Sequence, residues 1–204
     1  MIDHLVYASP DLDAGIDAIE TLLGVRAAPG GSHPKWGTRN ALLALGPDVY
    51  LEIIAPDPEL PRPDRGYPFR IDTLEEPALV TWAMKSDNID MVSELAREEG
   101  YDPGLPLEGS RALPDGETLR WRLTLPQLDS GAGLIPFLID WRDSSHPAAS
   151  LPSGGTLIDL SGKHPNPARI ANALAALGVQ VSVTHGTQPR LMATIETSRG
   201  VVRL

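Results

Sequence analysis

Apolar positions along the chain change period several times, and each change marks an element. Ile2 to Ala8 is a short, apolar, partly β-branched run suited to a strand. Ser9-Pro10-Asp11 interrupts it and supplies helix-start chemistry, with Asp11 or Ser9 as cap. Leu12, Ile16, Ile19, Leu22 and Leu23 then recur every three to four residues, which predicts an amphipathic helix, and Gly24 ends it. Strands are expected at Val25 to Ala28, Asn40 to Leu45 and Val49 to Ile54, the last two joined by the turn Gly46-Pro47-Asp48. The order is βαβββ.

The same order returns. Leu79 to Lys85 reads as a strand, and Asp87 to Glu99 as a helix with Ile89, Val92 and Leu95 on one face, ended by Gly100. Strands follow at Glu108 to Leu113, Leu119 to Thr124 and Ile135 to Trp141. A shorter third round has a strand at Leu157 to Leu160, an alanine-rich helix at Pro167 to Leu177 and Gly178 as its stop. Strands at Val179 to Val183, Arg190 to Glu196 and Val201 to Leu204 complete it. A repeat of this length sets the architecture. The expected fold is α+β, with repeated βαβββ units forming curved mixed sheets around a cavity and a degenerate third unit at the C-terminal end. One unit leaves an apolar sheet face bare, so a second must cover it, and the space enclosed suits a small molecule. Residues 1–150 are taken as one domain, built from units 1–57 and 78–143, and 155–204 as the third unit.

Composition narrows the function classes. The chain of 204 residues carries a formal net charge of -10, which argues against nucleic-acid binding because phosphate backbones repel it. It has no cysteine, so disulfides, zinc-thiolate sites and thiol nucleophiles are excluded. No stretch approaches the ~20 apolar residues of a membrane helix, and the opening MIDHLVYAS lacks a basic segment followed by an apolar run. A cytoplasmic protein without secretory signal or membrane partner is expected. Phosphate loops, dinucleotide fingerprints, the Gly-x-Ser-x-Gly elbow and the HExxH motif are all missing.

Four segments carry chemistry: IDHLVYASPDLD at the start, GGSHPKWGTRNALLAL after the first helix, YLEIIAPDPE at the end of the first round and IPFLIDWRDSSHPA at the end of the second. Together they resemble the glyoxalase-like domain family of the vicinal-oxygen-chelate superfamily, over roughly residues 1–150. Residues 155–204 resemble the degenerate last unit of such chains. The resemblance implies that His4, in the first strand, and Glu52, in the last strand of the first unit, point into the cavity and bind a divalent cation (Zn, Fe, Mn or Ni). An imidazole and a carboxylate suit such ions, and an acid between Leu51 and Ile53 in a strand faces away from both. A complete site needs a second pair. Sliding the first unit onto the second puts Thr81 opposite His4 and Leu138 opposite Glu52, and neither is a ligand. Asp140 shares the strand parity of Leu138 and is the candidate replacement, with His146 just beyond it.

Other residues have two readings each. Trp36 offers a stacking surface to a ligand, and Thr38 and Asn40 offer a hydroxyl and an amide; alternatively the last two tie the loop to a neighbouring strand. Trp121 and Trp141 line a cavity or fill a core. Arg120 and Arg122 hold a substrate carboxylate or form a solvated outer face. His33, His164 and His185 are expected at the surface. His4 and Glu52 act as catalytic residues in an enzyme reading, where a cation acts as a Lewis acid in a lyase, isomerase or dioxygenase reaction on a small organic substrate. The alternative is metal-free binding or sequestering of a small molecule. Short apolar edge strands in the third unit predict a homodimer.

Overall fold

The computed structural model describes residues 1–64, 66–112, 118–125 and 130–204, with Ala112 described as backbone only. β1 (Ile2–Ala8), α1 (Leu12–Leu23), β2 (Ala28–His33), β3 (Thr38–Ala44) and β4 (Tyr50–Pro56) form the first unit. β5 (Ala78–Lys85), α2 (Ile89–Glu98), β6 (Pro106–Ala112), β7 (Thr118–Thr124) and β8 (Phe137–Asp140) form the second. They share one eight-stranded sheet in the order β2-β3-β4-β1-β5-β8-β7-β6. In each unit the first strand runs parallel to the last, and β1 and β5 join the units as an antiparallel pair. The end strands β2 and β6 come into contact, so the sheet curls almost into a barrel.

Capping follows the sequence. Asp11 accepts from the Ala14 amide at 2.9 Å and Asn88 from the Met91 amide at 3.1 Å, each relieving an orphan donor at a helix start. Gly24 closes α1 at φ 79°, a left-handed conformation that costs glycine little. The main boundary error lies in β2, which begins at Ala28 where Val25 to Ala28 was expected to be the whole strand. Its sequence APGGSH has no apolar alternation, so no hydrophobic pattern marks it. Leu113, the expected end of β6, lies outside the described residues.

The third round contains β9 (Thr156–His164), α3 (Pro167–Ala176), β10 (Ser182–His185), β11 (Arg190–Thr197) and β12 (Gly200–Arg203). Its element order repeats the other two, but its pairing does not. β9 runs parallel to β10 and antiparallel to β11, giving a separate sheet ordered β10-β9-β11-β12. Ile170, Leu174, Leu191 and Ile195 bury themselves in the same core as Ile16 and Ile19 of α1 and Leu5, Leu51 and Leu138 of the large sheet. This sheet therefore covers the convex, helical side and contributes nothing to the cavity lining. A second core on the concave side holds Val6, Leu42, Tyr50, Ile54, Trp121, Phe137, Ile139 and Trp141. Among the described residues no helix is long and apolar enough to cross a membrane.

Candidate functional site

The concave face encloses a cavity of about 750 Å³, counted out through its open mouth. Strand alternation selects its walls. β4 sends Tyr50, Glu52 and Ile54 inward and Leu51 and Ile53 to the helices. β8 sends Phe137 and Ile139 inward, followed by Trp141. His4, Trp36, Thr38, Asn40 and Trp121 also line the cavity, as do His33, Phe69 and Arg111.

His4 lies on β1 beside Tyr50 of β4, with the rings stacked at 4.6 Å. Its Nε2 stands 3.8 Å from Glu52 Oε2, so the two side chains converge in the cavity. Glu52 is held from the other side by Asn40, whose Nδ2 donates to Oε1 at 2.6 Å. Asn40 Oδ1 in turn accepts from the Gly31 amide at 2.9 Å, which fixes the amide's orientation.

Strict alternation puts Asp3 on the helical face. A one-residue irregularity in the β1–β5 register between Ile2 and His4 puts an extra residue into β1. Such a bulge re-aims side chains, and Asp3 turns towards the cavity wall. It is fully buried and accepts three hydrogen bonds: His4 Nδ1 at 2.7 Å, Trp141 Nε1 at 2.9 Å and His146 Nε2 at 3.2 Å. Burial alone would raise its pKa, but the hydrogen bonds and electrostatic attraction of His146 and His4 outweigh it and hold Asp3 well below the usual carboxylate range. Asp3 is therefore ionised and keeps a proton on His4 Nδ1. In the neutral ring that leaves Nε2 bare and aimed at Glu52, so two acceptors face each other across the cavity floor.

Burial raises the pKa of Tyr50 well above its ordinary value, aided by Asp3 and Glu52, and it stays protonated. Burial depresses the pKa of His33, whose Nδ1 lies 3.1 Å from the Thr38 hydroxyl. The expectation that His33 is a surface residue is thus wrong; β2 carries it to the cavity wall. Phe69 and Arg70, in the short 3₁₀ turn Pro68–Thr73, both have positive φ (58° and 55°). That is a costly conformation for bulky residues, and it brings Pro68 and Phe69 against the cavity.

Two expectations, on Asp140 and His146, need correction. Asp140 does not reach the cavity: it shares a strand face with Leu138, which packs towards the helices, and its carboxylate caps the Arg142 amide at 2.8 Å. Asp140 does share the parity of Leu138, but that parity points away from the cavity. His146 is not a lining residue; its Nδ1 accepts from the Ala148 amide and its Nε2 donates to Asp3, one layer behind the wall. Arg122 belongs to the outer face, bound to Asp90 of α2 at 2.5 and 2.8 Å. Thr81 spends its hydroxyl on the Gly133 carbonyl.

The donor set can now be tested against a resident metal. A zinc site takes three or four protein donors. Among the described residues no group of three or more His, Cys, Asp or Glu side chains surrounds one point. The second unit presents Phe137, Ile139 and Trp141 where a second ligand pair would be needed. His4 and Glu52 alone do not fit a tightly held cation.

Residues 2–178 match the model of the glyoxalase-like domain. The chain belongs to this family. Among solved structures, a hypothetical protein from Staphylococcus aureus is 15% identical with a TM-score of 0.74, over 99% of this chain and 97% of the other. That likeness speaks for the fold of the glyoxalase-like chain. Methylmalonyl-CoA epimerase from Mycobacterium tuberculosis is 21% identical with a TM-score of 0.44, over 73% and 91% of the two chains. The Streptomyces coelicolor epimerase, in complex with 2-nitronate-propionyl-CoA, is 18% identical with a TM-score of 0.47, over 72% and 98%. No curated protein matches the sequence of this glyoxalase-like chain.

The seam beside Asn40 gives a first prediction. A Cβ on Gly30 would lie 2.0 Å from Asn40 Oδ1 and 2.9 Å from its Cγ. Gly30→Ala should push Asn40 off Glu52 and lower stability by about 1–3 kcal/mol, the usual cost of overpacking. Urea denaturation measures the loss, and an unchanged midpoint would show that the seam can yield.

Proposed function

We propose that this glyoxalase-like protein binds a small, largely apolar organic molecule in the cavity and moves a proton on it, with Glu52 and His4 as the acid–base pair. The observation that supports this reading is the His4–Glu52 approach, oriented from behind by the buried Asp3. Glu52 Oε2 is unoccupied by Asn40, which bonds Oε1, so it can take a proton from a carbon next to a carbonyl. The C–H bond breaks, its electron pair moves to the carbonyl oxygen as an enolate, and the proton rests between Glu52 and His4 Nε2. Return of the proton to the same or a neighbouring atom completes an isomerisation. Trp36, Trp121 and Trp141 hold the apolar body of the substrate and keep water from the enolate.

A second reading, binding without chemistry, draws on the apolar second-unit wall. One experiment separates them. Enolisable carbonyl compounds that quench tryptophan fluorescence are incubated with the protein in D₂O and followed by NMR. Deuterium should enter at the carbon next to the carbonyl, at a rate unchanged by chelator. Quenching without exchange for every bound compound would overturn catalysis in favour of binding, and exchange abolished by chelator would restore a metal.

A further inference from the structure

Among the described residues Arg111 is the one arginine that lines the cavity, and nothing in the acid–base reading above uses it. It sits on β6, opposite Leu119 of β7, at the seam where the sheet nearly closes. Its side chain crosses the Gly30–Gly31 pair of β2. A Cβ on Gly31 would lie 2.4 Å from Arg111 Cδ, and one on Gly30 3.0 Å from Nη1. The two glycines leave the space that the arginine fills. Nη1 is buried and has no hydrogen-bond partner among the described residues. An orphan donor on a half-buried cation is expensive, and it calls for a water, an ion or a ligand to complete it. Glu52, the carboxylate whose charge acts on Arg111, is already bound by Asn40 and faces His4.

The geometry points to Arg111 as the receptor of a carboxylate on the substrate, so that the ligand class is an apolar monocarboxylic acid whose acid end lies at the β2–β6 seam. The planar guanidinium matches a carboxylate fork. A single cation suits a single negative charge: a dianionic phosphate would leave excess charge in an otherwise apolar cavity beside Glu52. The point 3.0 Å from Arg111 Nη1 is also 2.0 Å from Asn40 Oδ1, so the anchor stands next to the amide that holds Glu52. A carboxylate received there leaves the adjoining carbon close to the acid–base pair, while Leu119, Trp121 and Leu123 accept the apolar remainder. This inference rests on the proposed cavity site but not on its chemistry.

Phenylpyruvate serves as acid probe, 4-phenyl-2-butanone as its neutral counterpart and phenyl phosphate as the rival anion, all read by tryptophan quenching. Wild-type protein should bind phenylpyruvate at least tenfold more tightly than the other two. Arg111→Met should weaken phenylpyruvate about 10- to 100-fold, the usual reach of a charged hydrogen bond, and leave the ketone unchanged. Arg111→Lys, which keeps charge but loses the fork, should fall between. Thermal melting checks folding, and Arg111→Met should melt no lower than wild type because it removes an unpaired buried charge. Equal losses for acid and ketone, tighter binding of phenyl phosphate, or no binding of the acid by folded wild-type protein would each overturn the proposal. Glu52→Gln separates this idea from the catalytic one: it should abolish deuterium exchange while keeping Arg111-dependent acid binding. Acid binding without exchange in wild type would sink the catalysis alone.

Discussion

Asp3→Ala should destabilise the protein by about 3–5 kcal/mol, the cost of removing one partner from a buried ionic cluster. Asp3 is fully buried and takes hydrogen bonds from His4, Trp141 and His146. Truncation leaves three donors facing a cavity. Equilibrium denaturation with urea measures the loss, and a change below 1 kcal/mol would mean that water replaces the carboxylate. The same residue sets an acid limit. Its folded pKa lies below the unfolded value, so the unfolded chain binds the proton more readily. The stabilisation is complete above the ordinary carboxylate range and is lost as pH falls below it. In Asp3→Asn this part of the acid-side slope should vanish. That variant also presents an amide to one of the three donors. If it meets His4 Nδ1, the ring proton moves to Nε2 and the base is blocked; activity should fall while the fold survives.

Glu52→Gln should lower the rate of proton exchange by about 10²–10⁴-fold, the range for a positioned general base. Glutamine keeps the shape and the contact with Asn40 but cannot take a proton. Because the amide still fills the pocket floor, ligand binding should stay within a few-fold. The decisive comparison is the exchange rate at saturating ligand. A rate within tenfold of wild type would remove Glu52 from the chemistry and shift attention to His4 alone.

The repeated βαβββ order was legible because three helices and most strands keep their period through the chain, and because glycines fall where the helices stop. His4 and Glu52 were singled out by the resemblance to the glyoxalase-like family, and for Glu52 parity agreed, since its neighbours Leu51 and Ile53 face the helices. Asp3 was not, because a bulge breaks the alternation and no letter in IDHLVYA announces it. Asp140 failed for the complementary reason. Parity grouped it correctly with Leu138, but which face of β8 meets the cavity depends on how the sheet curls. Arg111 had a signal that went unread: in PLEGSRA it alternates with Glu108 and Ser110 and so shares a face with Gly109, the side on which Trp121 packs. The distinct pairing of the third sheet had none, since element order alone does not determine strand neighbours.

The near-closure of the large sheet also bears on how fast a ligand gets in. β2 and β6 touch but are at opposite ends of the hydrogen-bonded order, so among the described residues no ladder runs between them. A fully closed barrel would have to break backbone bonds in order to widen. Here the wall can part along a line held by side chains, chiefly Arg111 lying over Gly30 and Gly31. Parting such a seam would cost packing contacts and no backbone ladder. Residence time in the cavity would then depend on the latch at the seam more than on the stability of the fold.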